Sequence, residues 1–285
     1  MKKFKPILKF IIVVFLVHLP YYVFFEDLWE ILYLHIVELN PLEVTNVMNL
    51  MGDILTLLSI LLIWKMGLVD LRSEFKNGWS TLTKMKLPIF AGVLWFWADG
   101  VLLSLLDLEM TEEYQDYLFD KSLHSPFLVF QTCFGKPLLE ELLIRTACLG
   151  LMLRSGIKPW VAVFVSSIAF GVIHSDFSQI VFAGIGGLML GFIYYKTNNI
   201  FATMIIHSIQ NTLATIIAFT SETTDDFQNV QDCSSDDSIG MFVLFLVVLV
   251  FASASILIMK RFCSKFPQPQ FVKSVESDEP VMEEC

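Results

Sequence analysis

Eight stretches of this 285-residue chain are apolar and long enough to cross a bilayer, at about 7–25, 47–69, 87–106, 126–153, 157–174, 178–195, 199–218 and 240–259. A helix needs about 20 mostly apolar residues to span the hydrocarbon core. Within lipid, backbone polar groups must be satisfied inside the segment itself, so runs of this kind become helices. The spacing therefore predicts an all-α fold, a polytopic membrane helical bundle of about eight transmembrane helices. Composition agrees: hydrophobic residues make up 55% of the chain and charged residues only 17%, against about 25% charged in soluble domains. Two stretches carry interruptions, the fourth at Gly135-Lys136-Pro137 and the seventh at His207, Gln210 and Asn211.

Cationic loops stay on the cytoplasmic side of a membrane, and the Lys and Arg residues here alternate along the chain. Lys2, Lys3 and Lys5 precede the first stretch; Arg72, Lys76, Lys84 and Lys86 follow the second; Arg154, Lys158, Lys196, Lys260 and Arg261 follow the fourth, sixth and eighth. The three long loops on the other side, about 26–46, 107–125 and 219–239, hold 17 acidic residues against one base, Lys121. Both termini are thus expected to be cytoplasmic. The Lys-rich start imitates a secretory signal, but no small-residue cleavage site precedes Pro20, so the first stretch is expected to be retained.

The net charge of −10 excludes a general polyanion-binding surface, and with it nucleic acid as a partner. The five cysteines are odd in number and lack C-x-x-C spacing, which argues against a disulfide framework or a zinc ribbon. Gly184, Gly187 and Gly191 in the sixth stretch fit close helix packing, the last two as G-x-x-x-G.

Ionisable side chains at mid-span are costly and mark function. The fourth stretch reads Lys136-Pro137-Leu138-Leu139-Glu140-Glu141-Leu142-Leu143-Ile144-Arg145. Arg145 stands four residues after Glu141, the favourable order for an ion pair on one helix face. That pairing leaves Glu140, about 100° round the helix, aimed elsewhere. The fifth stretch ends in Phe170-Gly171-Val172-Ile173-His174, and the seventh carries His207 and Asn211 on one face. Two of the chain's five histidines thus fall close to the glutamate pair in a single expected polar cluster.

A carboxylate beside an imidazole in a secluded pocket can activate water, and a second imidazole with an amide can bind a developing oxyanion. The same groups offer a zinc set of Glu140, His174 and His207 as an alternative, although no H-E-x-x-H motif is present. Depth is the difficulty. At about 1.5 Å per residue, His207 lies roughly 13 Å from the inner end of its span, Glu140 roughly 20 Å and His174 roughly 24 Å, so helix tilt has to close the gap. Asp53 and Asp99 are further intramembrane acids that a hydrolytic site leaves unexplained; the simplest expectation places Asp53 near the outer part of its span or at a helix cap and Asp99 in a hydrogen bond within the bundle.

On these residues the chain resembles the CPBP family, the CAAX-protease and bacteriocin-processing membrane proteins also called Abi. That family is marked by E-E-x-x-x-R, F-x-x-x-H and H-x-x-x-N/B in successive membrane segments, and here Glu140-Glu141 with Arg145, Phe170 with His174, and His207 with Asn211 stand in that order. Two positions depart: Ile144 where an aromatic often precedes the arginine, and Thr146 where glycine often follows it. The resemblance covers about 126–217. It divides the chain into N-terminal membrane helices (1–125, three spans), a catalytic core (126–217), an acidic outer loop with the last span (218–262) and an acidic disordered tail (263–285).

The resemblance implies an intramembrane glutamic-type endopeptidase working without a cofactor on a membrane-associated peptide or protein, either a prenylated CAAX protein or a bacteriocin or signal peptide. Glu140 would deprotonate water, His174 would hold it, His207 and Asn211 would form the oxyanion hole, and Glu141, Arg145 and Phe170 would support the site. A bacterial plasma membrane is the expected location. The rival readings are a non-proteolytic bacteriocin immunity or scaffold protein, and a transporter built on Asp53, Asp99, Glu140 and His174.

Overall fold

A computed structural model describes residues 5–20, 41–106, 108, 111, 125–174, 176–220 and 238–265, with the backbone alone for 18–20, 41–49 and 238–239. Among these residues nine helices follow one another and no strand occurs. They are α1 (Lys5–Pro20), α2 (Pro41–Lys65), α3 (Leu71–Thr81), α4 (Lys86–Leu105), α5 (126–154), α6 (Pro159–Val172), α7 (Phe177–Thr197), α8 (Ile200–Thr220) and α9 (Ser238–Lys265). Each of the eight apolar stretches is helical over most of its described residues. Helices α4, α7 and α8, and Gly240–Lys265 of α9, are each long and apolar enough to cross a membrane. The chain is a helical membrane bundle and an integral membrane protein.

Three details differ from the sequence expectation. Helix α3 occupies what reads as a cationic loop. It forms because the Asp70 side chain caps it by accepting from the Ser73 backbone N–H at 3.2 Å, and because Glu74 and Gly78, four apart, are buried while Arg72, Lys76 and Trp79 face outward. Helix α9 runs on to Lys265, with Met259 and Phe262 buried, so residues 263–265 are helical rather than part of a tail. The third difference concerns Gly135 to Pro137, which do not break α5. The helix passes through them in a stretch of i→i+5 hydrogen bonding, Gln131–Gly135, and a second such stretch follows at Leu142–Leu149. The three acidic outer loops lie largely outside the described residues, and 266–285 lie wholly outside them.

Helix α5 runs between two apolar cores. On one side Leu142, Leu143, Ala147 and Leu149 pack with Phe10 of α1, Ile60 and Ile63 of α2, and Met204 of α8. On the other, Ile144 packs with Phe96 of α4, Phe170 of α6, Leu190 and Ile193 of α7, and Ile206 of α8. Helix α9 leans on α4, where the Ser255 hydroxyl donates to the Ala91 carbonyl at 2.8 Å. Its remaining apolar surface, including Phe242, Val250 and Leu257, is exposed, as suits a helix whose solvent is lipid.

Small residues bring α6 and α7 together. A Cβ on Gly187 or Gly191 would stand 3.2 Å from Phe170 or Val163 respectively. Gly184 differs from the expectation: its own Cβ side is open, and its backbone is instead approached from Gly171. Gly171 is the tightest point, since a Cβ there would lie 2.6 Å from the Ile180 carbonyl oxygen.

At the predicted cytoplasmic side, α3 is latched to α5, α7 and the start of α8. The Tyr194 hydroxyl donates to Glu74 Oε2 at 2.9 Å, and Arg154 Nη1 stands 3.7 Å from Glu74 Oε1. Asn77 Nδ2 donates to the Asn198 carbonyl at 2.6 Å, and Asn199 Nδ2 to the Gly78 carbonyl at 2.8 Å. Thr146, one of the two departures from the family pattern, is fully buried.

Candidate active site

The site begins with α5. Between its two i→i+5 stretches lies one α-helical segment, Lys136–Glu141, whose last two residues are the paired glutamates. Arg145 Nε donates to Glu141 Oε2 at 3.1 Å, with both side chains inaccessible, which is the i,i+4 geometry their spacing predicts. The guanidinium also lies 4.7 Å from the centre of the Phe170 ring, a cation–π contact of the kind that strengthens when desolvated.

Phe170 is the hub. Besides carrying Arg145 on its face, it meets His174 and His207 edge to face, each at 5.4 Å between ring centres. His174 Nδ1 is 2.9 Å from the Phe170 carbonyl. A carbonyl only accepts, so Nδ1 carries the proton and Nε2 is left as an acceptor or a ligand. His207 Nδ1 is 3.2 Å from Glu141 Oε1, and its Nε2 is 3.7 Å from Glu140 Oε2. Glu141 therefore has Arg145 on one oxygen and His207 on the other. Glu140, the next residue back, keeps 22% of its side chain exposed.

Asn211 Nδ2 donates to the Thr132 carbonyl of α5 at 2.9 Å, which leaves one of its two amide N–H groups uncommitted to that bond. Beyond it, Cys133 Sγ donates to Thr215 Oγ1 at 3.6 Å. Thr203, His207, Asn211 and Thr215 thus form a polar stripe on α8, one residue every four, laid antiparallel along α5. His207 and Asn211, its two middle members, stand out in the sequence. Thr203 and Thr215 escaped because threonine is common in membrane helices and carries no charge; the four-residue spacing was the signal that could have found them.

The unequal depths counted along the helices do not keep the residues apart: Glu140 Oε2 and His207 Nε2 stand 3.7 Å from each other, and the Phe170 ring meets both histidines.

Asp53 of α2 lies within electrostatic reach of Lys136 and Glu140, at the edge of the site rather than at a helix cap. Asp99 is buried on α4, and neither of its carboxyl oxygens has a hydrogen-bond partner among the described residues, so the hydrogen bond expected of it within the bundle is not made. Among the described residues no group of three or more His, Cys, Asp or Glu side chains is placed to hold one metal ion.

The helical membrane bundle thus sets a Glu-Glu-Arg helix against two histidines and an asparagine on neighbouring helices. Residues 122–213, about a third of the chain, match the family described as "Type II CAAX prenyl endopeptidase Rce1-like". Over 92 residues the chain is 25% identical to the "Putative membrane peptidase YdiL" of Bacillus subtilis (strain 168). That similarity covers 32% of this chain and 37% of the relative. No solved structure matches.

Proposed function

We propose that the chain is an intramembrane endopeptidase that hydrolyses a peptide bond of a membrane-associated protein or peptide, with Glu140 as the base that activates water. The observation that carries this reading is the asymmetry of the glutamate pair: Glu141 is held by Arg145 and His207, while Glu140 is partly exposed beside His207 Nε2. A carboxylate engaged on both oxygens and fully buried is a structural anchor. Its neighbour, free to meet water, is the group fit for proton transfer.

In this mechanism Glu140 takes a proton from water, and the resulting hydroxide attacks the scissile carbonyl carbon. His174 accepts a hydrogen bond from that water through Nε2. The carbonyl oxygen becomes an oxyanion and receives a hydrogen bond from His207 Nε2–H. When the C–N bond breaks, Glu140 returns its proton to the leaving amine. The description of the matching family favours a prenylated CAAX-type protein as substrate, with a bacteriocin or signal peptide as the other class. The membrane is proposed to be a bacterial plasma membrane, with both termini cytoplasmic.

Glu140→Gln tests the reading. Purified in detergent, this variant should retain yield and thermal stability while peptide cleavage falls to background. A Glu140→Gln protein as active as the wild type overturns it, and a wild type that binds a cationic bacteriocin without cleaving it would favour the immunity-protein alternative. No metal is assigned a role. Activity lost on dialysis against a strong chelator and restored by zinc would instead make His174 and His207 ligands.

A further inference from the structure

A proline inside a helix deprives one carbonyl of its donor. Here the hydrogen-bond register identifies which one. The Lys136 N–H donates to the Gln131 carbonyl, five residues back. In the same register the next residue would serve Thr132, but that residue is Pro137 and has no N–H. The Thr132 carbonyl is the acceptor to which Asn211 Nδ2 donates at 2.9 Å. The donor missing from α5 is thus supplied from α8, one turn beyond His207.

We infer that Asn211 serves the reaction as a positioning residue, splinting the proline-opened turn of α5 so that Glu140, three residues after Pro137, is held facing His207. The consequence is geometric. Glu140 lies on α5 and His207 on α8, and their 3.7 Å separation depends on the register between the two helices. The hydrogen bond from Asn211 to Thr132 fixes that register on the side of the site away from the Glu141–His207 contact, so two bonds flank the reacting pair. Thr215, one turn further along α8, continues the same seam by accepting from Cys133, the residue after Thr132. A misplacement of about 1 Å in such a constellation can cost about 100-fold in rate.

The activity readout of this inference rests on the proteolytic reading; its structural readout does not. The test is a cycle of wild type, Asn211→Ala, Pro137→Ala and the double variant. Asn211→Ala should lower kcat about 100-fold with KM little changed. In the double variant the backbone N–H restored at position 137 supplies the Thr132 carbonyl from within α5, and at least tenfold of the lost kcat should return. A double variant as slow as Asn211→Ala overturns the inference, since an amide that acts on the oxyanion alone cannot be replaced by a donor at position 137. Where Pro137 variants do not accumulate, backbone hydrogen exchange of Asn211→Ala decides. Peptides covering 131–138 should exchange faster than in the wild type while the rest of α5 is unchanged, and unchanged exchange there overturns the inference. If the wild type cleaves nothing, the proteolytic reading fails and the exchange comparison still tests the splint.

Discussion

Two adjacent carboxylates of one chemical type are given different tasks by their partners. Glu141 cannot be spared by the folded protein: Glu141→Gln leaves Arg145, fully buried with its Nε now facing a neutral amide, and breaking a buried pair from one side costs about 3–5 kcal/mol. Glu141→Gln should therefore lose folded protein, seen as lower yield and a lower thermal midpoint in detergent, whereas Glu140→Gln should lose only turnover. Glu74 on α3 gives a second residue-scale prediction. Burial pushes its carboxyl above the ordinary value of 4.5, an effect the Tyr194 hydroxyl and Arg154 offset only in part. Because the folded state holds this proton more tightly than the unfolded chain, the contribution of Glu74 to stability rises as pH falls through the raised value and levels off below about 4.5. The thermal midpoint of wild type relative to Glu74→Gln should increase from pH 8 to pH 5; a flat or falling difference would show that burial does not govern this carboxyl.

At the scale of elements, the crossing of α6 and α7 sets where His174 stands. Gly171 is three residues before His174 and meets the Ile180 carbonyl so closely that any side chain must push backbone aside. Overpacking of this kind costs about 1–3 kcal/mol. Gly171→Ala should lower the thermal midpoint and also slow cleavage, because the shift is transmitted directly to His174. Gly184→Ala, whose Cβ would enter open space, is the control and should leave both unchanged. The elements also show where pattern reading succeeds. Eight helices were legible because apolar runs of that length have few alternatives in lipid. Helix α3 was not, because its amphipathic face is only two buried residues wide, and its formation depends on the Asp70 cap and on Tyr194 and Arg154 arriving from α7 and α5.

For the whole molecule, the alternation of Lys and Arg leads to a topology prediction: an impermeant thiol reagent added to intact cells should label Cys233 and leave Cys285 protected. Both cysteines lie outside the described residues, so the experiment addresses the inside-out sense of the bundle independently of its packing. Labelling of Cys285 with protection of Cys233 would invert the proposed orientation. The active-site assignment would survive such an inversion, because the contacts among α5, α6 and α8 do not depend on which side the termini occupy.

The sequence by itself determined that the chain is a helical membrane protein, that Arg145 answers Glu141, and which polar residues are set in its apolar helices. Those are local matters of length, spacing and charge, and the physics of a bilayer makes them nearly compulsory. Only the tertiary structure decided that Phe170 joins both histidines to Arg145, that His207 binds Glu141 as well as facing Glu140, and that Asn211 reaches the Thr132 carbonyl. Each of these is a contact between helices distant in the chain, governed by crossing angle, relative depth and register. Those quantities follow from how α6 ends before His174, how α5 absorbs Pro137 in an i→i+5 turn, and how closely glycine lets backbones approach, none of which the periodicity of a single apolar run encodes.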